Sequence, residues 1–378
     1  MKAWIDPFDV FGRPVETLIR YDGSQDRTVK IVRSSPASIY LARRFLGGQE
    51  SCVKSGGHVS LASLLLRPNG VARGSDLLIA RVSRRVSRMM AAHDVIRVPE
   101  CVRLIRPLPL SSEERRRIKS SQSENLRRIR KHKLTYSLSH AKEDFDHLWH
   151  TMVLPYAESR FGDLAERHSY KHALKAFDRG VLLFVLQDGR KIAGTLLDLS
   201  DNRVSAVSLG MDGGFENAMR IGALSAIYYF TIEWAEREGF DCIDMGNVRP
   251  CLADGVFRTK YRWGGQAVDE ETCQDLVLCC DARNPLVCRF FEENPLVIRD
   301  GDGLSAIGAL PREAGNDPGA LGTFVDSNLV PGLSRIFVLP GFDRQAERPQ
   351  QGCFKSSCRT ASPQRPPSSA SAAKPLTL

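Results

Sequence analysis

The chain has 378 residues, 42% hydrophobic and 26% charged, an ordinary globular composition with enough length for two domains or one domain and an appendage. Its net charge of +9 is concentrated: nine Lys/Arg against three Glu lie between 113 and 133, and six Lys/Arg against two acids lie between 341 and 378. The remainder is close to neutral, which excludes a protein that binds nucleic acid over its whole surface, and the longest apolar run, "GALSAIYYFTIEWA", is too short to span a bilayer.

In the first hundred residues "TVKIVRS", "HVSLASLLL", "LLIARV" and "VRLIRPLPL" read as strands and "SIYLARRFL" as a short helix. Together they suggest a mixed α/β unit over 1–110. "SSEERRRIKSSQSENLRRIRKHK" opens with the capping pattern Ser111-x-x-Glu114. It has few apolar residues, so the spacing predicts a mostly solvated basic helix, or two with a break at Ser120–Ser123. Its charge suits non-specific attraction to phosphates, as in tRNA or an anionic surface, although most charge runs are simply solvated faces.

"LTYSLSHA" alternates as a strand, and "KEDFDHLWHTMVLPYAESRFG" reads as a helix with Phe145, Leu148, Trp149, Met152 and Val153 on one face. Pro155 is expected to end or kink it. "VLLFVLQ", "KIAGTLLDLS" and "RVSAVSLGMD" form a meander through turns at Asp188-Gly189 and Asp201-Asn202. Residues 218–238 then read as one helix stopped by Gly239, and "FDCIDMG" as a buried strand. A strand, a helix and a strand joined by short links imply a right-handed parallel crossover. The polar segment "MGNVRPCLADGVFRTKYRWGG", 245–265, leaves the end of that crossover strand as an irregular loop. Residues 281–342 still carry apolar content and read as an extension packed on the domain. The tail 343–378, rich in Pro, Ser, Ala and Gln, reads as disordered.

Gly213, Gly214, Arg220 and Gly222 stand at the start of the crossover helix, where unpaired N–H groups can hold an anion. The glycines are equally explained by the turn itself and by close helix-to-sheet packing. His147 and His150, and His168 and His172, share helix faces, but no third ligand or general base accompanies them, so no metal is expected. The ten cysteines form no CxxC pair and no zinc framework. With no signal-peptide pattern in "MKAWIDPFDVFGRP", a reduced, cytoplasmic protein is expected.

The order of these elements, with "SENLRRIRKHKL" before them and "VFRTKYRWGG" after, resembles the GNAT acyltransferase superfamily, and within it the FemAB-like branch, over about 120–280. The resemblance implies a GNAT-like mixed sheet with flanking helices in 111–280 and a second, degenerate GNAT-like half in tandem before it. It implies an N-acyltransferase whose donor, acyl-CoA in the first instance, enters where the strands at 203–210 and 240–246 part. The acceptor would be an amine or amino sugar, as in cell-envelope or polysaccharide biosynthesis. Asn247, Arg249, Asp254, Lys260, Tyr261 and Arg262 would then face the reacting carbonyl. Asp254 is the candidate base, Asn247 the oxyanion donor and Tyr261 the acid. Lys260 and Arg262 would hold phosphates or a carboxylate, unless they pair with Asp244 or Asp269 and pin the loop. "MRIGA" departs from the superfamily's pyrophosphate loop, because Arg220 precedes Gly222 by two residues rather than three. FemAB-like enzymes that use aminoacyl-tRNA do not require that loop. A non-catalytic protein that docks a polyanion through 113–133 is the reading from a different class.

Overall fold

The computed structural model describes residues 13–20, 26–48, 52–90, 95–162, 169–213, 215–301, 303–311, 314, 317–339 and 359–361. They form three sheets. The first runs β3-β1-β2-β4-β13-β5, built from β1 (Arg13–Arg20), β2 (Arg27–Val32), β3 (Cys52–Val59), β4 (Leu77–Val82), β5 (Ile96–Pro99) and β13 (Asp275–Cys280). Helix α1 (Pro36–Leu46) crosses between β2 and β4, which are parallel. It starts in a capping box between Ser35 and Ser38, carries Pro36 in its first turn and buries Ala37, Leu41, Ala42 and Phe45. "HVSLASLLL" is not one strand: β3 ends at Val59, and Ser60 caps a helix over Leu61–Leu66.

The second sheet runs β12-β6-β11-β10-β9-β8-β7. Its strands are β6 (Val102–Pro107), β7 (Thr135–Ser139), β8 (Gly180–Gln187), β9 (Arg190–Ser200), β10 (Arg203–Met211), β11 (Cys242–Val248) and β12 (Gln266–Asp269). Four strands meander antiparallel, and β10 joins β11 in parallel through the crossover helix. The result is a mixed sheet with helices on its faces. Both turns of the meander hold their two residues at positive φ, 50° and 77° at Asp188-Gly189 and 52° and 53° at Asp201-Asn202, the hairpin geometry that matches strand twist. "VLLFVLQ" is apolar throughout because β8 is covered on both faces: Val181, Leu183 and Val185 face one core, Leu182 and Phe184 the other.

The basic stretch is two helices, α2 (Ser112–Ser121) and α3 (Ser123–Lys131), meeting at Gln122. The apolar helix after β7 is continuous through Pro155. It runs as α4 (Lys142–His147), a π-helical stretch Leu148–Val153 and α5 (Leu154–Phe161). Pro155 is the second residue of α5, directly after the π-helical stretch, so its missing N–H falls where the helix changes its hydrogen-bond spacing. The expected single helix over 218–238 is instead α6 (Phe215–Ile221) and α7 (Ala223–Arg237), parted at Gly222, whose φ is 91°. The segment expected to be an irregular loop contains a helix, α8 (Gly255–Arg262). The third sheet is β14 (Leu296–Asp300), β15 (Gly303–Ala309), β16 (Ile336–Leu339) and β17 (Arg359–Ala361). Apart from β17, the tail expected to be disordered lies outside the described residues.

Two strands sit in the sheet on the other side of the expected boundary at 110. β6, from the first 110 residues, lies in the second sheet between β11 and β12. β13, from the second half, lies in the first sheet between β4 and β5. Each half donates one strand to the other. The turns that launch them sit side by side: Glu100 N–H donates to Gln274 O at 2.8 Å, and Cys101 is disulfide-bonded to Cys273. The reduced state expected of the cysteines fails for this pair. Their separation of 172 residues offers no motif, and only the exchange brings them together. β14 is tied to the same place. Arg299, 4% exposed, donates to Asp275 Oδ1 at 2.6 Å and also pairs with Asp269.

Replacing Cys101 and Cys273 together by Ala should lower the stability of the oxidised protein by about 2–4 kcal/mol, read by denaturant titration. Reductant should lower the parent by the same amount and leave the variant unchanged.

Candidate active site

β10 and β11 pair only at Arg203–Ser205 against Cys242–Asp244. β10 then continues along β9 to Met211, and β11 continues along β6 to Val248, so the two strands part. Each is irregular at the fork. On β10 the register against β9 slips between Ala206 and Ser208, leaving Val207 as the extra residue of a bulge. On β11 the register against β6 slips between Asp244 and Asn247, and Gly246 lies there at φ 77°. Its positive φ is what suits glycine, since a Cβ there would make only an ordinary contact with Ala206 O at 3.5 Å.

The fork opens into a cavity of about 270 Å³. α7 forms one wall with Leu224, Ile227, Tyr228 and Thr231, and the π-helical stretch with α5 forms another with Trp149, Val153 and Tyr156. Most of the lining is apolar. Lys260, on α8, enters it from the side, with a residue exposure of 8%. Its Nζ donates to Asn247 O at 3.2 Å and lies 3.5 Å from Gly246 O, so the ammonium sits where the strands separate. Two carbonyls of the bent strand hold it, which offsets the cost of burying a cation.

α8 is aimed by Asp254 and Trp263. Asp254 Oδ1 accepts from Val256 N–H at 2.8 Å and Phe257 N–H at 3.2 Å, a helix N-cap. Its Oδ2 accepts from Tyr40 Oη at 2.9 Å. Tyr40 belongs to α1 of the first half, and the Arg249 guanidinium lies 4.3 Å from its ring centroid. Burial, with Asp254 adding to it, holds the Tyr40 phenol well above the usual tyrosine range, so it remains a donor. At the other end of α8, Trp263 is 1% exposed and stacks on Tyr228 with ring centroids 6.2 Å apart. Gly264 follows at φ 87°, and a Cβ there would collide with the Arg106 guanidinium of β6.

The residues expected from the sequence therefore separate. Lys260 reaches the cavity. Asn247 stands exposed at the fork and contributes its carbonyl to Lys260. Asp254 is engaged as a cap and as the acceptor of Tyr40, and does not line the cavity. Tyr261 is half-buried against the core, and Arg262 is exposed. Asp269 is paired with Arg84 and Arg299, and Asp244 accepts from Gly246 N–H while facing Arg103 at 3.6 Å.

The expected anion site is not gathered either. Arg220 is exposed and donates to Asn217 Oδ1 at 2.9 Å. Gly222 is buried under α3, its Cβ position 3.3 Å from Arg128 Cβ. Gly213 is exposed, while Gly214 and His168 lie outside the described residues. Ser208 and Thr231 also line the cavity, and neither is among the residues expected from the sequence. Thr231 left a signal, a polar residue on the buried face of "ALSAIYYFTIEWA"; Tyr40 left none.

No family model matches the chain, and no curated protein does. Solved structures similar to it include FemX, at 13% identity and a TM-score of 0.34 over 72% of this chain and 90% of that one. L-PGS from Bacillus licheniformis matches at 12% identity and 0.34, over 73% and 85%. A GCN5-related N-acetyltransferase from Kribbella flavida matches at 14% identity and 0.25, over 71% and 87%.

Asp254→Ala should cost about 0.5–2 kcal/mol of stability through the lost cap, read by denaturant titration. Asp254→Asn, which can still cap, should cost less than Asp254→Ala.

Proposed function

We propose that the protein is an N-acyltransferase that takes its acyl donor into the fork between β10 and β11. The observation that carries this reading is the buried Lys260 ammonium at the point where the two strands part. A carbonyl lying in the cavity beside Lys260 would be polarised by a fixed cation in apolar surroundings, where such a charge acts most strongly. The acceptor amine attacks the carbonyl carbon and forms the C–N bond. Lys260 stabilises the oxyanion of the tetrahedral intermediate. Its collapse breaks the bond to the thiolate or alkoxide of the carrier, and the proton lost by the amine passes to the leaving group through solvent at the mouth, where Asn247 is exposed. In this proposal Asp254 holds α8 in place, and Tyr261 and Arg262, in the last turn of that helix, do not line the cavity.

Acyl-CoA is the first donor to test. One observation favours a second reading, a tRNA-borne donor. α3 covers Gly222 at the start of α7, where a pyrophosphate would otherwise be held, and α2 and α3 expose Arg116, Arg117, Lys119, Arg130 and Lys131. The acceptor remains an amine or amino sugar in either case.

Lys260→Met should lower kcat by about 10²–10³-fold, the cost of removing one oxyanion donor, with an unchanged circular dichroism spectrum. The assay is acyl transfer to a panel of amines from acetyl-CoA or from aminoacyl-tRNA. Equal turnover by parent and variant would remove Lys260 from the reaction. A thermal shift with CoA that is insensitive to tRNA would favour the thioester donor. A salt-sensitive shift with tRNA alone would favour the other.

A further inference from the structure

The first sheet buries its two faces against different partners. Leu77 and Ile79 of β4 share a core with Phe45 and Cys251. The alternate residues Leu78 and Ala80 point the other way. That second face is covered by three short helices, Leu61–Leu66, Pro68–Ala72 and Arg84–Met89. They pack down on it through Leu64, Val71 and Val86.

The outward side of this layer combines two features. Leu66 is 80% exposed and Met89 is 73% exposed, whereas the other exposed large apolar side chains among the described residues, Leu138 and Val268, reach only 39%. One exposed leucine needs no explanation. Here the two most exposed apolar side chains end two helices of a single layer, and each has an arginine as neighbour, Arg67 after Leu66 and Arg88 before Met89.

The second feature is charge. Residues 52–93 hold seven Lys/Arg (54, 67, 73, 81, 84, 85 and 88) against Asp76 alone. Arg81 pairs with Glu100 and Arg84 with Asp269. Asp76 accepts from Thr28 N–H at 2.8 Å and from Asn284 Nδ2 at 2.9 Å. Arg67, Arg73 and Arg85 are exposed, and Lys30 Nζ donates to Arg73 O at 2.6 Å, which adds a cation nearby. Like charges gathered on one face repel one another, and an anionic surface relieves that repulsion. The guanidinium fork also matches a phosphate.

We infer that this face docks on an anionic lipid bilayer, with Leu66 and Met89 entering the headgroup layer and Arg67, Arg73 and Arg85 meeting lipid phosphates. Single apolar side chains among basic ones suit the boundary between headgroups and acyl chains. A nucleic acid offers phosphates but no place for Leu66 and Met89, and residues 52–93 contain no Phe, Tyr or Trp to stack on bases. The face is separate from the basic helices α2 and α3, and its role is independent of the acyl donor.

The test is co-sedimentation of the full chain with vesicles of phosphatidylcholine alone, or of phosphatidylcholine and phosphatidylglycerol in equal parts. The parent should bind the anionic vesicles and be released by salt. Leu66→Ser with Met89→Ser should weaken binding at least about 10-fold. Arg67→Gln with Arg85→Gln should weaken it about 25-fold, roughly 5-fold for each charge. Both pairs change exposed side chains, and unchanged circular dichroism spectra would show that the variants fold. Arg116→Gln with Arg117→Gln, on α2, should bind as the parent does. Failure to bind anionic vesicles overturns the inference, as does loss of binding in the α2 variant alone. Binding to polyglutamate that equals binding to vesicles and survives Leu66→Ser with Met89→Ser would point to an acidic protein partner and overturn it as well.

Discussion

The Arg106 guanidinium donates through Nη1 to the carbonyl of Trp263 in the interior of the protein, and the placement of Lys260 depends on it. Arg106 is fully buried on β6, and its Nε and Nη2 find no partner. Burial pushes it down to about 10, still above neutral pH, so it stays charged. Such a group is costly to keep inside. It closes the C-terminal end of α8, as Asp254 closes the other end. With both ends held, the single turn of α8 that carries Lys260 has little freedom, and the ammonium is kept at the fork. Preorganisation of this kind is what lets a fixed cation act on a carbonyl without rearranging first.

The two restraints come from outside the second half. Arg106 arrives on the exchanged strand β6, and Tyr40 arrives on α1 to bind Asp254. The first half thus supplies the two side chains that hold the helix of the candidate site. A half described as degenerate on its own motifs has a definite physical duty toward the other.

The meander, its two turns and the crossover were legible because each rests on a local rule: alternation or a two-face apolar run for strands, left-handed residues in tight turns, apolar spacing for helices. α8 was not legible, because its buried face holds Phe257 and the charged Lys260 rather than a regular apolar stripe. Its cap, Asp254, was in plain view but read as chemistry. The break at Gly222 was read as packing or anion binding, since neither φ nor the approach of Arg128 can be inferred from a lone glycine. The exchange of β6 and β13 was beyond reach: an apolar strand states that it is buried, not which sheet buries it. The disulfide followed from the exchange and shared its obscurity.

The reciprocal strands also set the order in which the chain can mature. During synthesis, residues 13–99 lay down five strands of the first sheet, yet β13, which parts β4 from β5, does not exist until residue 280 has been made. Until then β4 and β5 present unpaired edges inside a nascent sheet, the kind of surface that recruits other chains. The two halves therefore reach completion together or not at all, and a gene cut between residues 110 and 111 would encode two pieces, each with a slot in its sheet and the missing strand on the other.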